Sequence, residues 1–347
     1  MRLEKTSLPK ILHCANTFVE WEIESSPDIS LYQAFHHHLV YLQLQFLPLL
    51  YADPSDAILV SDLPLESYPH HSLYTLEDEM PVFSHLESWG ASQLVQTWAQ
   101  RHGIAYDIPR WNLVREVNSK VFSFVNSPSL PGAALLRDEQ EARHWLHHTP
   151  GKKVIKTSFG VSGRGHVFIE DFPFLHRQWK QGNPVIGEPW VNRIMDFSTQ
   201  WIIDEDIRYC GSTRCYNDDK GQYRGNQVGP EHSVFGDHLP FLDQHIIEAR
   251  RCLQHMKHLG YQGHVGIDAM IYTLPQREEP QLHPIVEINA RKTMGWVALQ
   301  LQQRRYPDQL MSLSYEPAQE GLLPSSLVVK NGKKISFARN INVRIYN

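Results

Sequence analysis

The chain has 347 residues, 41% apolar and 20% charged, the composition of a globular protein with room for two or three domains and a sizeable core. A formal net charge of −5 leaves no basic excess for a nucleic-acid partner, and the longest apolar run, residues 39–50, is too short and too polar to cross a bilayer. The first ten residues lack the apolar stretch of a signal peptide, and Cys14, Cys210, Cys215 and Cys252 have no zinc-type spacing, so a cytoplasmic protein with free thiols is expected.

Residues 1–112 read as a small α/β unit. Residues 10–15 and 57–60 form compact strands, and residues 27–47 carry helical spacing. The triplet His36, His37, His38 lies in that helical stretch, where neighbours do not face one way, and reads as a solvated face rather than a metal site. Residues 85–102 again show helical periodicity through Leu86, Trp89, Leu94, Val95 and Trp98. Gly103 stops that helix, and residues 104–108 resume as a strand. Alternating strands and helices predict a mostly parallel sheet. Further on, residues 118–124 are helix-like and residues 138–147 form a helix. Residues 183–191 are a strand running into a turn. Residues 198–204 and 208–216 are consecutive strands, and residues 217–221 form a hairpin turn. Residues 245–259 are a helix stopped by Gly260, and a second helix begins near Thr293. The tail beyond Glu320 holds two strand-like runs around Asn331 and Gly332.

Two segments carry chemistry. Residues 264–271 and 284–291 read as strands joined by a proline-rich connection. On the second, Glu287, Asn289 and Arg291 sit two apart and share a face. Pairing the strands brings Asp268 against Glu287 and Asn289. Two carboxylates and an amide oxygen suit Mg2+, which takes few protein carboxylates plus substrate phosphates, and the arginine suits a phosphate oxygen. Earlier, a strand at residues 153–156 ends in Lys156. It leads through a loop with Ser158, Gly160, Ser162, Gly163 and Gly165 to a strand at 166–169. Strand, glycine loop, strand fits neither a P-loop nor a dinucleotide fingerprint, both of which open a helix. A flap whose backbone N–H groups meet phosphates fits better.

Together these residues resemble the ATP-grasp superfamily over roughly residues 114–301, with a flap similar to that of biotin carboxylases. The resemblance implies an α/β and α+β fold: an N-terminal α/β domain (1–112), a small subdomain carrying the flap (113–187), and a large subdomain carrying the metal site (188–347). It implies ATP and Mg2+ (or Mn2+) as cofactors. Lys120, Lys156, Ser158, Gly160, Ser162, Gly163 and Gly165 would attend the phosphates. Glu188, Trp190 and Val191 would serve as the hinge against adenine through their backbone groups, and Asp196 would meet the ribose or stand as a turn residue before the next strand. Asp268, Glu287 and Asn289 would hold metal, and Arg224, Arg291 and Lys156 would stabilise the transferred phosphoryl group. Arg208 and Arg214 are further candidates to line the site, sharing a face if no bulge intervenes. The implied activity is an ADP-forming ligase that turns a carboxylate into an acyl phosphate for attack by an amine or amino acid. A small-molecule kinase and a non-catalytic nucleotide-binding regulator are the alternatives. The expected partners are small molecules, with no nucleic acid and no membrane, and a homodimer is admitted.

Overall fold

A computed structural model describes residues 11–160, 166–167, 172–217, 223–274, 277–318 and 320–346. It divides into two compact units, one made of Met1–Trp111 with Gln300–Asn347 and the other of Asn112–Leu299.

In the first unit, β1 (Ile11–Cys14), β2 (Ala57–Val60), β3 (Ser72–Thr75) and β4 (His85–Ser88) form a parallel sheet in the order β3-β2-β1-β4. Helices α1 (Val19–Ser25), α2 (Leu31–His36), α3 (Leu39–Leu44) and α4 (Gln93–Arg101) accompany it. Segment 85–102 is thus a strand followed by a helix. The turn between them is fixed by the buried Asn16 amide, which donates to the Gly90 carbonyl at 3.0 Å and accepts from the Trp89 N–H at 2.9 Å. The carboxylate of the buried Glu22 accepts from Ser92 Oγ and from the Gln93 and Leu94 N–H groups, so the first turn of α4 holds it there. Residues 104–108 are not a strand, although Ala105 O accepts from Leu86 N at 2.8 Å. In the histidine triplet, His37 and His38 are exposed as expected, but His36 is half-buried with Nε2 2.8 Å from the Asp62 carboxylate.

In the second unit, α5 (Trp111–Val117) and α6 (Lys120–Asn126) lead to a four-stranded antiparallel sheet. Its strands are β5 (Ala134–Leu136), β6 (Lys153–Lys156), β7 (His166–Val167) and β8 (Val185–Pro189), in the order β5-β8-β6-β7. Helices α7 (Glu139–His148) and α8 (Phe172–Lys180) pack on it through Ala142, Trp145 and Leu175. A second antiparallel array runs β13-β12-β9-β10-β11, built from β9 (Asn192–Ile203), β10 (Ile207–Asn217), β11 (Tyr223–Val228), β12 (Gly263–Leu274) and β13 (Arg277–Asn289). Helix α9 (Glu231–Phe235) precedes α10 (Leu239–His258). The apolar stripe of α10, with Ala249, Cys252, Leu253 and Met256, packs on Trp201, Ile267 and Ile288. Helix α11 (Met294–Arg305) follows.

The supposed proline-rich connection between the two acidic strands is mostly strand. β12 and β13 pair out to Leu274 and Arg277, and β13 carries Pro280 and Pro284. An edge position explains this, because among the described residues β13 has a neighbour on one side only and a missing N–H on its outer side breaks no ladder bond.

The tail adds β14 (Leu310–Pro317), β15 (Ser326–Val328), β16 (Lys334–Ser336) and β17 (Arg339–Tyr346). The sequence division carried the large subdomain through residue 347, but Gln300–Asn347 groups with the first unit. Gln43 of α3 accounts for part of this. Its side chain donates to Arg339 O at 2.6 Å and accepts from Tyr315 Oη at 2.8 Å.

Candidate functional site

The array places Asp268 and Glu287 directly opposite each other on β12 and β13, with Ser198 of β9 on the far side of Asp268. The two carboxylates repel. Removal from bulk water first, and then the charge on Glu287, push the Asp268 carboxyl up to about 7, against hydrogen bonds from Ser198 and Asn289 and the charge of Arg291. Asn289 Nδ2 donates to Asp268 Oδ2 at 3.0 Å, and Asn289 Oδ1 accepts from Arg291 Nη2 at 2.9 Å. Asp268, Asn289 and Arg291 therefore form one hydrogen-bonded chain, with Glu287 opposite Asp268. Among the described residues no group of three or more His, Cys, Asp or Glu side chains converges as a metal centre. Two facing carboxylates with an amide nonetheless suit a hard divalent ion that completes its shell with phosphate oxygens and water.

Lys120 comes from a helix start. Ser119 caps α6, and the Lys120 side chain projects from the first turn. Its ammonium donates to Glu287 Oε1 at 2.6 Å and to Gly160 O at 2.9 Å, and its backbone N–H donates to Ser158 O at 2.8 Å. One residue thus ties the base of the glycine loop to the acidic strand. Gly160 has φ +141°, a conformation that favours glycine. Ser158 is buried, and its hydroxyl donates to Pro184 O at 2.6 Å. Ser162, Gly163 and Gly165 lie outside the described residues.

At the hinge, Lys156 Nζ lies 2.5 Å from Glu188 Oε2, both buried. Burial opposes the charge on Glu188, yet Lys156 beside it holds the carboxyl below its ordinary range. The side chain of Glu188 is therefore an ion-pair partner, whereas only its backbone was expected to matter. The Trp190 N–H donates to Lys152 O at 2.8 Å, and its ring lies under the Lys152 ammonium at 4.1 Å. Val191 is buried against Leu130, Met270 and Tyr272. Asp196 shares the Ser198 face of β9, and its Oδ2 accepts from Arg193 at 3.1 Å and Asn217 at 2.9 Å.

The arginines of β10 and β11 are not gathered at the carboxylate pair. Arg224 is exposed at the start of β11, three strands across from β12. A bulge between Tyr209 and Gly211 removes the shared face expected of Arg208 and Arg214, and Arg208 instead pairs with Asp204 at 2.7 Å. The sequence also passed over Ser198, Asn118 and His283. Ser198 reaches Asp268, and Asn118 Oδ1 accepts from the Ala290 N–H at 2.9 Å. His283 lines a cavity with Lys120, Lys156 and Glu188. None of the three carries a local signal, since the pairing is irregular between Glu287 and His283.

No protein-family model matches the chain, and no curated protein matches it by sequence. Solved structures do match. Phosphoribosylamine–glycine ligase from Thermotoga maritima aligns with TM-score 0.58 and 10% identity over 98% of this chain and 93% of its own. A protein assigned to the ATP-grasp superfamily from Archaeoglobus fulgidus aligns with TM-score 0.53 and 14% identity over 98% and 100%. An N5-carboxyaminoimidazole ribonucleotide synthetase in its ADP complex aligns with TM-score 0.52 and 12% identity over 99% and 93%. The chain has the ATP-grasp fold.

Proposed function

We propose that the chain is an ATP- and Mg2+-dependent ligase that activates a carboxylate as an acyl phosphate for attack by an amine or similar nucleophile. The observation that carries this is the Lys120 ammonium, shared between the glycine-loop carbonyl of Gly160 and the Glu287 carboxylate. The base of the glycine loop and a carboxylate that would hold the divalent ion meet on one cation. The likeness to an ADP-bound synthetase and to a glycine ligase supports the same reading.

Asp268, Glu287 and Asn289 would hold Mg2+, which when bound would neutralise charge on the transferred phosphoryl group. Lys120, Lys156 and the Ser158–Gly160 backbone would bind and orient the phosphates, and Arg291 would meet a phosphate oxygen. In the first step the substrate carboxylate attacks the terminal phosphorus and the bond to ADP breaks. In the second the amine attacks the acyl carbon, loses a proton, and inorganic phosphate leaves.

A panel of carboxylates and amines, read by ADP release and product mass, tests the proposal. ADP release should require both substrate classes, and 18O from a labelled carboxylate should appear in inorganic phosphate. Label in AMP would refute the acyl phosphate. ADP formed with a single acceptor substrate and no amine would mark a kinase.

A further inference from the structure

Resting on the nucleotide reading above, we propose that His283 selects the nucleotide base, a ring nitrogen accepting a hydrogen bond from the exocyclic amino group of a 6-aminopurine. His283 lies on β13 and is 5% exposed. It lines a cavity with Lys120, Lys156, Ile186, Glu188 and Ile285. The Pro128 carbonyl takes one ring N–H, because proline offers only an acceptor. The other ring nitrogen, Nδ1, is buried and has no hydrogen-bond partner among the described residues. Burial pulls the imidazole pKa down to about 4, so near neutral pH the ring is uncharged and Nδ1 presents a lone pair.

The charged groups of the cavity are already engaged. Lys156 and Glu188 hold each other, and Lys120 is shared between Glu287 and Gly160. Nδ1 is left as a buried acceptor without a partner among the described residues, on a residue that lines the cavity together with Ile186, Ile285 and the Lys156–Glu188 ion pair. Such a group is costly unless a donor arrives, and a site of this kind rejects ligands that bring a second acceptor. A 6-aminopurine brings an N–H donor. A 6-oxopurine brings a carbonyl oxygen and leaves both acceptors unpaired.

Calorimetric binding of ATP, GTP and purine riboside triphosphate to the wild type, H283F and H283N, all with Mg2+, tests this. Purine riboside triphosphate lacks the exocyclic amino group. The wild type should bind ATP about tenfold more tightly than the purine riboside analogue, as expected for one buried hydrogen bond, with GTP weaker still. In H283F that preference should vanish while affinity for the analogue stays within about twofold. H283N, which keeps an acceptor oxygen, should recover part of it and serves as the second variant where phenylalanine disturbs folding. Wild-type binding of ATP with an unchanged ATP-to-analogue ratio in H283F overturns the role of His283 alone. Failure of the wild type to bind any of the three overturns the nucleotide reading, and this inference with it.

Discussion

Lys120 neutralises Glu287 through the same ammonium that steadies Gly160, and this sets a condition on metal binding. A divalent ion placed at Glu287 and the Lys120 cation repel each other, so the ion is best accepted when phosphates arrive to draw the lysine away. Free Mn2+ should therefore bind poorly to the nucleotide-free protein. Lys120→Met leaves Glu287 facing Asp268 without a counter-ion and should tighten free Mn2+ binding by roughly tenfold, on the scale of one partly buried charge contact. Glu287→Gln should do the reverse, and should cut turnover on the order of 10^3-fold once substrates are known. Mn2+ electron paramagnetic resonance titration reads the first two effects without any activity assay. Equal free-ion affinity in wild type and Lys120→Met would show that the lysine does not compete.

Among the elements, β8 packs closely on helix α7 at Gly187. A Cβ built there would lie 2.8 Å from three atoms of the Trp145 ring. The ring cannot easily give way, because Trp145 Nε1 donates to Gly132 O at 2.8 Å and Trp145 lies in the core of this sheet. Gly187→Ala should cost about 1–3 kcal/mol of stability by overpacking, measured by urea unfolding. A cost below about 0.5 kcal/mol would mean that the helix α7 contact yields freely. Spacing alone revealed β8, β9, β10 and the acidic stretches of β12 and β13, because each is a clear apolar run or period-two pattern. It failed where two rules competed. Residues 85–102 satisfy a helical stripe across what is a strand, a turn and a helix, and the turn is fixed by Asn16, far away in sequence. Pro280 and Pro284 read as a connection because nothing local says that β13 is an edge strand.

At the scale of the molecule, the ATP-grasp fold was legible from two short motifs because their residue types and order are unusual. The contacts that complete the site were not, since Lys120 and Glu287 stand 167 residues apart and only the fold brings them together. The destination of residues 300–347 was hidden for the same reason. A buried histidine gives a measure of stability that spans several elements. His245 on α10 hands its Nδ1–H to Pro284 O of β13 at 2.6 Å, since that carbonyl can only accept. Its Nε2 then accepts from Thr199 of β9 at 2.6 Å, and Thr199 Oγ1 in turn accepts from Trp201 Nε1 at 2.8 Å. Burial keeps the ring neutral, lowering its pKa from 6.5 to about 4 against the opposing Pro284 bond. The unfolded chain takes up the proton first as pH falls, so the stabilisation is complete above about 6.5 and is lost as pH drops through about 4. This residue should account for roughly 3 kcal/mol of the loss between those limits. His283 acts in the same direction, so the difference between proteins is the informative quantity. His245→Gln should be less stable than wild type at pH 7 but should lose less on acidification, and urea unfolding at pH 7 and pH 4.5 measures both. Parallel pH curves for the two proteins would show that His245 is not titrating between the folded and unfolded states.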